Sequence, residues 1–209
     1  MVNVQVNIDE RQVQHINNML YQTPDKAKAV FRNSLTRGMT AAKTQAAKEI
    51  RSRYDIKTGN LRTEQTVKTR FIDEGDAVSG EVSFSGGKIP LYRFHPSPAV
   101  RKYTNRFVNG RGGWRVTAPV SAADLRGNML ARPGAFIATF ASGHTGMFRR
   151  TGRATNTGKP EIKEYWGFSV ADMLDYPEAR EAVQQRAEEI TAKRLDHELM
   201  RMLNGYGTR

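Results

Sequence analysis

"PDKAKAVFRNSLTRGMTAAKTQAAKEI", residues 24–50, decides how the rest of the chain is read. Ala27, Phe31, Leu35, Met39, Ala42, Ala46 and Ile50 recur every three or four residues, which makes one apolar stripe along a long helix. Pro24 suits the first helical position, where its missing N–H costs nothing, and Thr23 before it is the expected N-cap. The other faces carry Lys26, Lys28, Arg32, Arg37, Lys43, Lys48, Arg51 and Arg53, an excess of one sign. A stripe of this length needs a second layer to cover it, and the flanking segments supply strands and another helix.

Upstream, "VNVQVNI" alternates Val2, Val4, Val6 and Ile8 on one face and predicts an opening strand. Asp9 is placed to cap a short helix from about Glu10 to Leu20. Downstream, "YDIKTGNLR" breaks the long helix, with a short second helix expected near Thr58. "EQTVKTRFI", "AVSGEVSFS" and "KIPLYRF" read as strands, the first two joined by a turn at Asp73–Asp76. "WRVTAPV" returns to strand. "GAFIATFASGHTGMFRR", residues 134–150, predicts a hairpin ending on Arg149 and Arg150. Pro177 opens a last helix to about Leu203, with Val183, Ala187, Ile190, Leu199 and Met202 on its apolar side. The expectation is one α+β domain over residues 1–209: a central antiparallel sheet packed by a long helix in the N-terminal half and by the C-terminal helix. Two stretches, 95–114 and 151–160, read as long, flexible basic loops because Gly, Pro and cations crowd them.

The chain has 209 residues and a formal net charge of +12, which predicts attraction to a polyanion. That charge is unevenly placed. Residues 26–70 hold twelve Lys or Arg against three acids, and residues 88–163 hold fourteen against two. The stretches 1–25, 71–87 and 164–209 are net negative. Basic and acidic blocks of this kind suit a polyanion-facing surface or head-to-tail contact between copies. The chain has no cysteine, which excludes disulfides, thiolate metal sites and cysteine nucleophiles and fits synthesis in a reducing cytoplasm. "MVNVQVNIDERQ" lacks the basic and apolar regions of a signal peptide, and no window approaches the roughly 18 apolar residues of a membrane span.

No catalytic, cofactor or metal site is expected. His15, His95, His144 and His197 have no metal-ligand spacing. "GRATNTGKP" has one residue too many between Gly152 and Gly158 for a phosphate loop, and Pro160 after Lys159 removes the hydroxyl and the helix start. "NGRGGW" lacks the strand-to-helix context of a dinucleotide fingerprint, and there is no serine-hydrolase elbow. Asp73–Asp76 lacks a calcium-loop pattern. Glu161 and Glu164 are explained by an element exterior. An enzyme acting on nucleic acid would need a carboxylate cluster that binds magnesium, and the basic middle offers only Asp124 and Glu161.

The basic loops carry a different signal. Arg101, Lys102, Arg106, Arg111 and Arg115 interleave with Tyr103, Phe107 and Trp114, a mixture that suits phosphate contact, base stacking or a protein hot spot. Arg149, Arg150, Arg153 and Lys159 extend the set of DNA- or partner-binding candidates. Contact with DNA would run through phosphates, without reading sequence.

The order of segments matters more than any single motif. A basic, Ala-rich helix, "LTRGMTAAKTQAAKEIRSRYDIKTGNLR", precedes "KIPLYRF"; then come "GAFIATF", "GMFRR", "KPEIKEYWGFSV" and a terminal helix. From about Leu35 to Met173 this succession resembles the minor tail protein Z family of long-tailed phages, the tail completion proteins. "GFSV" at Gly167–Val170 departs from the Gly-Pro-Ser-Val expected there, and the 95–114 excursion is longer and more basic than the family needs. The resemblance implies a structural virion protein, made in the bacterial cytoplasm, at the head-proximal end of a tail. It further implies no active site and a ring, sixfold to match the tail, around the DNA channel. The tail terminator and the head-side connector are the implied neighbours. In that setting Arg149 and Arg150 would face genomic DNA or an acidic patch of the next ring, and Asp172, Asp175 and Glu178 would meet the basic block of a neighbouring copy. The alternative is a sequence-independent DNA-binding protein outside the particle, such as a packaging or nucleoid-like factor.

Overall fold

The computed structural model describes residues 1–56, 66–73, 78–96, 120–122, 130–132 and 134–205. In chain order its elements are β1 (Val2–Asn7), α1 (Glu10–Met19), α2 (Pro24–Arg53), β2 (Thr66–Asp73), β3 (Val78–Ser85), a 3-10 turn (Leu91–Arg93), β4 (Val120–Ala122), β5 (Leu130–Arg132), β6 (Ala135–Thr139), β7 (Thr145–Ala154), β8 (Pro160–Glu164), α3 (Val170–Leu174) and α4 (Pro177–Leu203). The protein is α+β, with long helices and antiparallel sheets. Its described strands are shared among three sheets, ordered β1-β3-β2, β4-β5 and β6-β7-β8. The chain forms two compact units: Met1–Glu49, Thr66–Ser85 and Leu174–Arg209 in the first, Ile50–Gln65 and Gly86–Met173 in the second. The expected helix near Thr58, the Asp73–Asp76 turn, the 95–114 excursion and most of "WRVTAPV" fall largely outside the described residues.

In the first unit the sequence periods translate directly. Val2, Val4, Val6 and Ile8 are buried while their neighbours are exposed. The Asp9 carboxylate accepts the Arg11 N–H at 2.8 Å and caps α1. The six stripe residues of α2 that fall in this unit, Ala27 to Ala46, are buried, with Val30 and Ser34 beside them, and Ile50 is buried too. Thr23 departs from expectation: its carbonyl takes the Lys26 N–H at 2.9 Å, but its hydroxyl turns back to the Leu20 carbonyl at 3.4 Å. β3 is the central strand, pairing Val82 with Val4 of β1 and Thr69 of β2.

The terminal helix α4 covers the β1 edge, where Gln184 donates to the Gln5 carbonyl at 2.6 Å and occupies an acceptor that would otherwise invite another strand. Its buried face is Ala179, Val183, Ala187, Thr191, Leu195, Glu198 and Met202. Ile190 and Leu199, expected inside, are only half-buried. Polar residues take their places because each is satisfied. The Thr191 hydroxyl bonds the Ala187 carbonyl at 2.8 Å, and Glu198 accepts from Asn33 at 3.3 Å and from Arg201 at 3.4 Å. Gly38 lets α2 approach α4: a Cβ there would stand 1.9 Å from Thr191 Oγ1 and 3.1 Å from the Ala187 carbonyl.

The second unit corrects two expectations. "KIPLYRF" is not a strand. Pro90 makes a single bridge to Trp166, and because proline has no N–H the ladder stops there and the chain turns into the 3-10 segment. The Ile89 N–H reaches the Phe168 carbonyl at 3.2 Å and the Gly167 N–H reaches the Ile89 carbonyl at 2.8 Å, so the pairing continues irregularly. Gly167 also leaves room for buried Phe94, whose ring would lie 2.7 Å from a Cβ. Residues 151–160 are not one long loop. They are the end of β7, a tight turn and the first residue of β8. The predicted hairpin itself forms, with Phe136 opposite Phe148 and Ala135 opposite Arg149.

Short α3 starts with a reciprocal cap. The Asp172 N–H bonds Ser169 Oγ at 3.1 Å, and the Ser169 N–H bonds Asp172 Oδ2 at 3.0 Å. The bond from the Ser169 backbone N–H, and after it the Ser169 side chain, hold the Asp172 carboxyl below the ordinary aspartate value.

Two tests follow from these contacts. Gly38→Val should lose about 2 kcal/mol or more, because the branched side chain forces α2 from α4; urea unfolding reads it. Asp172→Ala should lose about 0.5–1 kcal/mol at neutral pH. A carboxyl held low in the fold stabilises above the unfolded-state pKa, so the gap to the parent should narrow as pH falls below about 3.9 and through the folded-state value. Urea midpoints from pH 7 downwards check it.

Candidate functional site

The sheet β6-β7-β8 presents four of the nine sequence-named cations. Consecutive strand residues point to opposite faces, so Arg149 and Arg150, read as a pair from the sequence, do not form one patch. Arg149 shares its face with Ile137, Met147 and Lys163, and Lys163 stands directly opposite it on β8. Its guanidinium lies 5.9 Å from the Tyr165 ring centre. Arg150 lies on the other face, stacked 4.9 Å over the Phe136 ring. Lys163 was not among the sequence candidates. Its place opposite Arg149 is a matter of strand register, which a bulged strand does not disclose.

Beyond Arg150 the strand pair becomes an arm. Between the pairs Arg150–Ile162 and Ala154–Pro160, β7 advances four residues while β8 advances two, so β7 carries two extra residues. Gly152, at φ +80°, supplies the left-handed conformation this bulge needs. Thr151 fills it, donating to Glu161 Oε2 at 2.5 Å and accepting the Arg153 N–H at 3.3 Å. At the tip, the Thr155 N–H bonds the Lys159 carbonyl at 2.7 Å and Gly158 turns the chain at φ +71°. Every residue from Gly152 to Pro160 is exposed, Arg153 and Lys159 among them.

The arm's charge is one-sided. Residues 149–163 contain Arg149, Arg150, Arg153, Lys159 and Lys163 against Glu161 alone. None of these cations pairs with a carboxylate among the described residues. The acids nearby are engaged within the fold. Glu161 serves Thr151, and Glu164 accepts from or pairs with His144 Nε2 at 2.9 Å beneath Phe148 and Phe140. The acids expected to meet a neighbouring copy are also engaged: Asp172 caps α3, and Asp175 pairs with Arg180. Only Glu178 of that trio has no such internal bond among the described residues.

Arg101, Lys102, Arg106, Arg111 and Arg115 lie outside the described residues. Among the described residues, no three of His, Asp and Glu gather to hold a metal ion, and no helix is long and apolar enough to cross a membrane.

The opposite faces predict opposite behaviour. Arg150→Ala should cost about 0.5–1 kcal/mol through the lost stacking on Phe136. Arg149→Ala should be near neutral, because its weaker ring contact is offset by relief from the like charge of Lys163. Urea midpoints of the two single variants decide it.

The chain matches no protein-family model, and neither the curated proteins nor the solved structures contain a significant match to it.

Proposed function

We propose that the protein is a structural component of the head-proximal end of a phage tail, a tail completion protein that assembles as a ring around the DNA channel. The observation that carries this reading is the exposed β7–β8 arm. Its built-in bulge and tight turn hold Arg153 and Lys159 beyond the packed part of the sheet, facing no carboxylate of the described fold. The order of segments from the basic helix to "KPEIKEYWGFSV" supports the same reading. The arm contributes charge without base-reading geometry, which suits phosphates of passing DNA or the acidic surface of an adjoining ring. Terminator and connector proteins are the neighbours this role requires.

Quantitative mass spectrometry of purified particles tests the placement. About six copies per particle, as a closed ring predicts, is the expected result. Absence from the particle, with salt-dependent DNA binding by the purified protein, would replace this reading with a DNA-binding factor outside the virion. The arm is tested by R150E/R153E/K159E. Stability should stay within about 0.5–1 kcal/mol of the parent, while plating efficiency falls sharply. If the arm touches phosphates, the salt dependence of DNA binding should become shallower by about 0.9 per lost contact.

A further inference from the structure

Each face of the β7–β8 strand pair carries an arginine braced by a ring. On one face Arg149 stands opposite Lys163, and the Tyr165 ring centre lies 5.9 Å from its guanidinium. On the other face Arg150 stands opposite Ile162 and stacks 4.9 Å over Phe136. Arg149, Arg150 and Lys163 are exposed, and none has a carboxylate partner among the described residues. Two cations set directly across a ladder repel each other, and an anion between Arg149 and Lys163 would relieve that repulsion. A guanidinium held against a ring has also given up rotamer freedom before any partner arrives, so less remains to be lost on binding.

Beyond these cations the arm has the dimensions of an element that fills a groove. Four residue steps on the β8 side, from Ile162 to Gly158, carry the tip about 13 Å past the Arg150–Ile162 pair at roughly 3.3 Å per residue. A strand pair with side chains on both faces fills about 10 Å of thickness. The major groove of duplex DNA is about 12 Å wide and about 8.5 Å deep and admits a two-stranded ribbon, whereas the minor groove is only about 6 Å wide. An arm of this length reaches the groove floor while Arg149, Arg150 and Lys163 stay near the rim, where phosphates run along both sides. The turn itself, Thr155 to Gly158, has small polar side chains and no apolar wedge that would part a base step. A flat acidic protein surface would engage one face of the arm and leave the cations of the other unused. The two phosphate rows of a groove engage both.

We propose that the β7–β8 arm enters the major groove of double-stranded DNA tip first, with Arg149 and Lys163 on the phosphates of one strand and Arg150 on those of the other. The contact depends on charge along both walls and not on base identity, so DNA of any sequence can move past it. It rests on the arm's being phosphate-facing, as in the proposed function, and takes DNA in preference to the acidic surface of an adjoining ring; it does not need the ring.

The test is binding of the full-length protein to a labelled duplex two helical turns long, followed by fluorescence anisotropy from low to high salt. R149Q/K163Q should make the plot of log affinity against log salt shallower by about 1.8 and Arg150→Gln by about 0.9, adding to about 2.7 in the triple variant. Arg150→Lys keeps the charge while weakening the stacking on Phe136, so it should keep the parent slope at a lowered melting temperature. The parent should shield guanine N7, in the major groove, from dimethyl sulfate and leave adenine N3, in the minor groove, open to it. A slope that responds to one face alone, shielding confined to adenine N3, or no duplex binding at low salt overturns the proposal. Particle counting keeps the two readings apart. About six copies per virion with a slope set by one face would leave the ring and remove the groove contact. A slope set by both faces, from a protein absent from virions, would leave the groove contact and remove the ring.

Discussion

The approach of α2 to α4 at Gly38 is the constraint on which the first unit depends. No side chain separates the helices there, and the space a Cβ would need is filled by Thr191, which is itself held by the Ala187 carbonyl. With the two helices fixed at that point, α4 lies along the β1 edge. A second close fit supports the first. Gly80 on β3 leaves a notch into which Met39 of α2 packs, its sulfur 3.1 Å from where a Cβ would stand. Small residues thus set the spacing, and the large apolar residues fill what remains.

Much of this was legible in the sequence, for physical reasons that differ from element to element. The strand alternation of Val2 to Ile8 and the helical stripe of α2 are periodic over many residues, so local noise cannot hide them. Pro177 and Asp9 marked helix starts because proline and a short carboxylate each solve the problem of the unpaired first N–H groups. The reading failed where a tertiary partner decides. Thr191 and Glu198 are polar by composition and buried by hydrogen bonding, which sequence period alone assigns to the outside. "KIPLYRF" has strand composition, yet Pro90 cannot extend a ladder, and the true pairing partner lies more than seventy residues away at Trp166.

The candidate site was legible in charge and not in geometry. Arg149 and Arg150 stood out as adjacent cations, but adjacency on a strand separates side chains instead of gathering them. What gathers charge is register: Arg149 meets Lys163 across the ladder. The 151–160 segment looked loose because Gly152 and Gly158 are usual signs of irregular chain. Here each glycine sits at the one kind of place that needs a positive φ, a bulge and a turn, and Thr151 and Thr155 bond the backbone around them. Glycine and threonine in that arrangement build a shaped arm.

The net charge of the chain says less than the difference in how its two signs are used. Several carboxylates are spent inside the fold: Asp9 and Asp172 on helix starts, Glu161 on the bulge, Glu164 on His144, Glu198 on Asn33, and Glu189 on Lys193 and Arg186. The cations of this strand pair receive no such use among the described residues, and Arg149 and Arg150 meet aromatic rings, which orient a guanidinium without neutralising it. Held out on a bulged hairpin, a guanidinium or ammonium stays fully hydrated, and a polyanion that meets several of them gains by releasing its condensed counterions. On a surface where one sign is satisfied internally and the other is held outward, long-range attraction acts on an oppositely charged partner before shape does.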